Sequence, residues 1–140
     1  MKKFKILAQF VKDISSETKD IQTYLFVKEY ISKYQLTIDI TSMPSKNKLV
    51  EINTILKFED KEKDPNRKKS HFEMVYATII KVDNQINEKK VVEKIILCEV
   101  QKEIYKNVEK AFSNLLNDSG YKNVSFKEVD FDKLYNEKIN

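Results

Sequence analysis

Glycine and proline are nearly missing from this chain of 140 residues, which holds one glycine, Gly120, and two prolines, Pro44 and Pro65. Average usage would give about ten and about seven. Phosphate cradles, dinucleotide fingerprints and Walker loops each need several glycines for close backbone approach, so all three are excluded. Cysteine is represented by Cys98 alone and histidine by His71 alone. A single cysteine closes no internal disulfide, which fits a reducing cytoplasm. One of each is also too few for a metal site, so no metal or other cofactor is expected. Arginine is reduced to Arg67, leaving no arginine cluster for bidentate contacts to phosphate or guanine. No run approaches the roughly 18 apolar residues of a membrane span. The opening MKKFKILAQFVKD places two lysines before an apolar stretch. Lys5 and Gln9 interrupt that stretch, and no small-residue cleavage site follows, so a cleaved leader is not expected.

What is present is apolar bulk and lysine. Ile, Leu, Val and Phe make up 43 of the 140 residues, far above the disordered range of below roughly 20%. The chain therefore buries a core, and its length fits a single domain over residues 1–140. Net charge is +4, from 26 basic and 22 acidic residues. Lysines are spread along the whole chain with acids interleaved, which is not the signature of a selected patch. A nucleic-acid-binding module would have to use Lys61, Lys63, Arg67, Lys68 and Lys69. Glu59, Glu62 and Asp64 lie among them and argue against it.

The apolar spacing marks the elements. From Phe4 to Ile14 the alternation predicts a strand with Phe4, Ile6, Ala8 and Phe10 on one face. Residues 15–33 show no clear period and read as an irregular crossover, with room for a helical turn, holding Tyr24, Phe26 and Tyr30. Leu36, Ile38 and Ile40 mark a second strand. Pro44 to Asn47 is a turn. A third strand buries Val50, Ile52, Thr54, Leu56 and Phe58. The apolar-free run from Glu59 to Ser70 is an exposed hairpin loop. His71 to Val82 is a fourth strand, apolar on both faces and so central or at an interface. The period then changes to four, through Val92, Ile96, Val100, Ile104, Val108, Phe112 and Leu116, giving an amphipathic helix of about 28 residues. Gly120 suits the left-handed position just beyond that helix. Asp130 is placed to N-cap a short closing helix through Leu134. The expected fold is α+β: a four-stranded antiparallel meander with the long helix and the short C-terminal helix on one face. The opposite sheet face is left apolar and uncovered, and a second copy of the chain is the expected cover.

No residue set has catalytic spacing, so no enzyme is expected. His71 opens the fourth strand with no nucleophile beside it, and Cys98 reads as a buried helix thiol. The aromatics Tyr24, Phe26, Tyr30 and Tyr34 either pin the crossover to the sheet or form a groove for extended peptide.

Three stretches in a fixed order resemble the SecB-type protein-export chaperones. The first strand, FKILAQFVKDISSE, is similar to the family's Lys-Asp-Ile/Leu-Ser-x-Glu ending through Lys12, Asp13, Ile14, Ser15 and Glu17. HFEMVYATI resembles the family's fourth strand in Phe72 and Glu73. VSFKEVDFDKLY resembles its closing segment in Asp130, Phe131, Leu134 and Tyr135. The matches span nearly the whole chain. One departure is plain: where the family carries Cys-Pro-x-x-Leu-Phe-Pro-x-x-Arg at its long helix, CEVQKEIYKN keeps only Cys98. Without those prolines the helix should run unbroken instead of kinking.

The resemblance implies an ATP-independent, cytoplasmic holdase that self-associates as a dimer or tetramer. It would bind unfolded precursor polypeptides and pass them to the SecA motor. Implied groove residues are Tyr24, Phe26, Tyr30, Tyr34, Phe131, Leu134 and Tyr135. Implied motor contacts are Asp13, Glu17 and Glu73. Ile104, Val108, Phe112 and Leu115 are candidates for packing protomers together. The basic balance and the lost prolines keep an alternative open, a specialised chaperone for the antitoxin of a toxin–antitoxin pair.

Overall fold

A computed structural model describes residues 2–139. The elements in chain order are β1 (Phe4–Glu17), α1 (Ile21–Tyr30), β2 (Gln35–Pro44), β3 (Leu49–Glu59), β4 (His71–Val82), α2 (Lys89–Lys94), a π turn (Ile95–Glu99), α3 (Val100–Asp118) and α4 (Phe131–Ile139). The expected four-stranded antiparallel sheet with packed helices is present, but its order is β1-β4-β3-β2. Only β2, β3 and β4 form a meander. The expectation of four consecutive neighbours fails at β1, because the segment after it is helical. That segment carries the chain to the far edge of the sheet, so β1 and β2 become the two edges. β4, apolar on both faces, lies between β1 and β3 as its pattern required.

The crossover, read as irregular, contains the ten-residue helix α1. Asp20 caps it: its Oδ1 accepts a hydrogen bond from the Thr23 amide at 2.8 Å. The capping bond from Thr23 also holds the Asp20 carboxyl below its ordinary pKa. Within α1 only Thr23 and Val27 are buried, a face too narrow to give a helical period.

β1 also departs from simple alternation. The pairing with β4 shifts between Ile6 and Ala8 and again between Val11 and Asp13. Each shift is a bulge, an extra residue that reverses the faces of everything after it. Phe4 and Ile6 lie opposite Val82 and Ile80 on the helix-covered face, whereas Ala8 and Phe10 lie opposite Ile79 and Ala77 on the outer face. The four residues expected on one face are thus divided two and two. Gln9 takes the inward place, and its Oε1 accepts from Tyr76 Oη at 2.9 Å and from Asn107 Nδ2 of α3 at 3.1 Å.

The core lies between the sheet and the long helix. β3 contributes Val50, Ile52, Leu56 and Phe58, and β4 contributes Phe72, Met74, Tyr76, Ile80 and Val82. Ile96, Val100, Ile104, Val108, Phe112 and Leu116 form the buried helical stripe that the step of four described. Ile104, Val108 and Phe112 are fully enclosed by their own chain, and Leu115 is buried with them, so none of the four is free to pack protomers together. Burying one such side chain contributes about 1.5–3 kcal/mol. The helix does not run unbroken as expected: the π turn Ile95–Glu99 separates α2 from α3, a wider turn that re-phases the stripe without any proline. Inside this core Thr54 Oγ1 donates to Gln101 Oε1 at 3.0 Å, tying sheet to helix.

Gly120 ends α3 with φ +95°, a left-handed conformation that suits glycine. A Cβ there would lie 2.8 Å from Cε1 of Tyr24, so space as well as backbone geometry requires glycine. Asp130 caps α4 as expected, its Oδ1 accepting from the Lys133 amide at 3.1 Å.

Candidate functional site

The aromatic residues singled out above fall into two groups, one at α1 and one at α4. At α1, Tyr24 is half-buried, 5.2 Å from the Tyr121 ring, and its Oη donates to the Gly120 carbonyl at 2.8 Å. Phe26 and Tyr30 lie one helical turn apart with ring centroids separated by 4.6 Å. Tyr34 is different. It is buried among Phe58 and Phe72, and its Oη accepts from the Ser70 amide at 3.1 Å. Burial pushes the Tyr34 phenol above its ordinary pKa. It forms the floor of this region, not its surface.

The loop between β3 and β4 closes over this group. Arg67 lies 5.1 Å from the Phe26 ring centroid and 5.2 Å from that of Tyr30. Its Nε donates to Asp60 Oδ2 at 2.5 Å. Burial pushes the Asp60 carboxyl up, but the Arg67 hydrogen bond, the Glu62 amide and the Arg67 charge outweigh it, leaving the group below its ordinary pKa. The far end of the loop is tied by Ser70, whose hydroxyl meets Thr18 Oγ1 at 2.8 Å and Tyr121 Oη at 3.1 Å.

At the other end, Phe131 is buried and packs edge-on against Tyr105 at 5.1 Å. Leu134 and Tyr135 are half-buried. Tyr135 lines an open cleft of about 630 Å³ between α4, the π turn and the edge strand β2. Ile40, Ser42, Ile96, Leu97 and Lys138 share its wall. Lys138 also pairs with Asp39 of β2 at 3.0 Å. Packed aromatics lead from beneath the first group toward the second. Phe58 touches both Tyr34 and Phe126, and Phe126 belongs to the extended segment that leads into α4.

Sequence reasoning missed Ile21 and Leu25, which are 66% and 57% exposed beside the first group. Their spacing of four on α1, offset from Thr23 and Val27, was the available signal. It stayed hidden because the segment was not read as a helix.

The three carboxylates assigned to motor contact share one region of the outer sheet face. Asp13 is opposite Val75, Glu17 opposite His71, and Glu73 opposite Ser15. Glu73 also lies 3.9 Å from Lys57 of β3. Further along that face Lys12 pairs with Glu51 at 3.2 Å. Of the cations weighed for nucleic acid, Lys61 pairs with Glu59 at 3.0 Å and Arg67 with Asp60.

Cys98 is buried, and its thiol donates to Asp132 Oδ1 at 3.1 Å. Burial, with the Asp132 carboxylate beside it, pushes this thiol's pKa up, away from a reactive thiolate. Lys102 holds the other Asp132 oxygen at 2.7 Å. Among the described residues, no group of three His, Cys, Asp or Glu side chains could hold a metal ion. No described helix is long and apolar enough to cross a membrane.

A sealed helix-on-sheet core flanked by half-buried aromatic surfaces defines the class, an α+β protein with a four-stranded antiparallel sheet covered on one face by helices. Comparison with known proteins gives that class its family. The family model described as preprotein translocase subunit SecB matches residues 1–140, so the chain belongs to the SecB family. A protein-export protein SecB of Pelagibacter ubique (strain HTCC1062) is 50% identical over 138 residues, covering 98% of this chain and 97% of that one. A solved structure of a SecB-like chaperone from Mycobacterium tuberculosis, in complex with a ChAD peptide from the HigA1 antitoxin, shares the fold. Its TM-score is 0.62 at 10% identity, over 91% of this chain and 88% of that one. The chain is thus a SecB-like chaperone, in a family of chaperones and not of enzymes.

Proposed function

We propose that the protein is an ATP-independent holdase of the cytoplasm that keeps precursor polypeptides unfolded for export. The observation that carries this reading is the pair of aromatic surfaces flanking a sealed core, in a chain matched along its whole length by the export-chaperone family. In this reading Phe26, Tyr30, Tyr24 and Tyr135 meet the client, with Leu134 beside them, while Tyr34 and Phe131 hold the floor. Extended polypeptide suits such a surface because aromatic contact and backbone hydrogen bonds need little sequence specificity. No nucleotide is involved, because binding and release are equilibria set by the client's own folding.

The outer-face carboxylates Asp13, Glu17 and Glu73 are assigned to the SecA motor, where a rigid acidic patch would steer a basic tail. Self-association as a dimer or tetramer is supported by large apolar side chains left open on β1: Leu7, Phe10, Val11 and Ile14 are each 43–50% exposed.

The test is suppression of aggregation of a chemically unfolded precursor, with light scattering of the chaperone alone to give its mass. The expected result is stoichiometric suppression by an oligomer without ATP. A monomer that neither suppresses aggregation nor binds an unfolded chain would overturn the reading. The antitoxin alternative makes a different forecast, namely tight binding of one antitoxin segment, no general suppression and no SecA binding.

A further inference from the structure

The α1 surface differs from a bare aromatic groove in that the chain's own cations already stand over its rings. Arg67 lies 5.1 Å and 5.2 Å from the Phe26 and Tyr30 centroids, and Lys33 Nζ lies 5.6 Å from that of Tyr30. We propose that this surface selects client segments carrying carboxylates next to aromatic residues, with Arg67 and Lys33 as the selecting groups. The inference rests on the holdase reading and specifies the chemistry of its clients.

A cation over an aromatic face satisfies the negative potential of the ring. A client lysine or arginine approaching Phe26 and Tyr30 therefore meets faces already occupied by a cation, and meets the like charge of Lys33 beside Tyr30. A client carboxylate meets the reverse. Among the described residues, the side-chain hydrogen bond of Arg67 runs through Nε to Asp60, leaving the two terminal nitrogens of the guanidinium as donors. A guanidinium presents those donors as a planar fork that matches a carboxylate.

Asp60 fixes the direction of that fork. Its side chain is only 3% exposed, and its second oxygen accepts from the Glu62 amide at 3.1 Å. Held this way, the guanidinium loses little freedom when a ligand arrives. Asp60 balances the charge of Arg67. Lys33, by contrast, is exposed and adds positive charge at the rim. An aromatic ring neighbouring the client carboxylate can then pack on the exposed Leu25, 57% open on the same helix. Charge complementarity thus picks an acidic, aromatic-bearing segment over a basic one.

The experiment uses the full chain and two labelled unstructured peptides, equal in length and aromatic content, one bearing aspartates and the other lysines. The wild type is expected to bind the acidic peptide roughly fivefold more tightly at low salt, the order of one charge-assisted contact. Arg67→Ala should bring the ratio close to one by weakening the acidic peptide. Arg67→Lys, which keeps charge but not the fork, should restore part of it. Thermal unfolding checks that the variants fold. Lys33→Ala, at an exposed side chain, repeats the test should Arg67→Ala fail to fold. Equal or tighter binding of the lysine peptide would overturn the proposal, as would a ratio that neither substitution moves. A concentration-dependent self-association that Arg67→Ala disperses would also overturn it, making a second copy the occupant. Failure to bind either peptide would overturn the holdase reading together with the inference.

Discussion

β1 and β4 lie side by side, pair along almost their whole length and carry similar amounts of apolar side chain, yet they have opposite fates. β4 is enclosed: Phe72, Met74, Ile80 and Val82 are at most 2% exposed. β1 is open: Leu7, Phe10, Val11 and Ile14 are 43–50% exposed. Composition does not separate them. Position does, because β4 has neighbours on both edges and α3 across its inner face, while β1 has one free edge and two bulges. The comparison teaches that an apolar strand need not be a core strand, and that the apolar surplus of an edge is available for another chain.

One rung of the ladder separates the two strands most strongly. Ile14 and Met74 are directly opposite each other, one half-exposed and the other fully buried. Met74→Ala should cost about 3 kcal/mol in urea unfolding, from lost transfer energy plus the cavity left behind. Ile14→Ala should cost less than about 1 kcal/mol, since much of its surface is already in water. Similar losses at the two positions, measured under conditions where the protein is monomeric, would mean that β1 is as enclosed as β4.

The same contrast explains what was legible in the sequence. β3, β4 and α3 each bury one regular face, so their period survived in the residues, and Gly120 and Asp130 sat where their backbone roles require. β1 and α1 were harder because their local chemistry breaks the period. Two bulges turn Ala8 and Phe10 outward and Gln9 inward, and nothing in FKILAQFVKD announces an extra residue. α1 buries only Thr23 and Val27, so no stripe marked the helix, although Asp20 three residues before Thr23 was a capping signal. The site shows the same division. Its aromatics were visible as residue types in an otherwise polar stretch. The pairing of Arg67 with Asp60, and its placement over Phe26 and Tyr30, depends on the path of a loop that has no period at all.

Polar groups show the same contrast between enclosed and open sides, with lower energies. Enclosure demands that a hydroxyl find a partner, while the open side leaves that to water. Tyr76 Oη meets the demand through Gln9 of β1, whereas the buried Tyr105 Oη has no hydrogen-bond partner among the described residues. Tyr76→Phe should therefore lower stability by about 1 kcal/mol, and Tyr105→Phe should raise it by about 1 kcal/mol. The sign with pH follows from the same enclosure. Burial, with the Glu109 charge adding to it, pushes the Tyr105 phenol up to about 12. A raised folded pKa favours the neutral phenol in the native state. Its contribution is full below the unfolded value of about 10 and is lost as pH rises toward the folded one. The wild type should lose stability between about pH 10 and 12, and Tyr105→Phe should flatten that limb while leaving the remaining tyrosines to titrate. Unfolding curves across this range, read beside ultraviolet phenolate absorbance, check both halves. An unchanged alkaline limb in Tyr105→Phe would show that this hydroxyl already reaches water, placing α3 on the open side of the comparison.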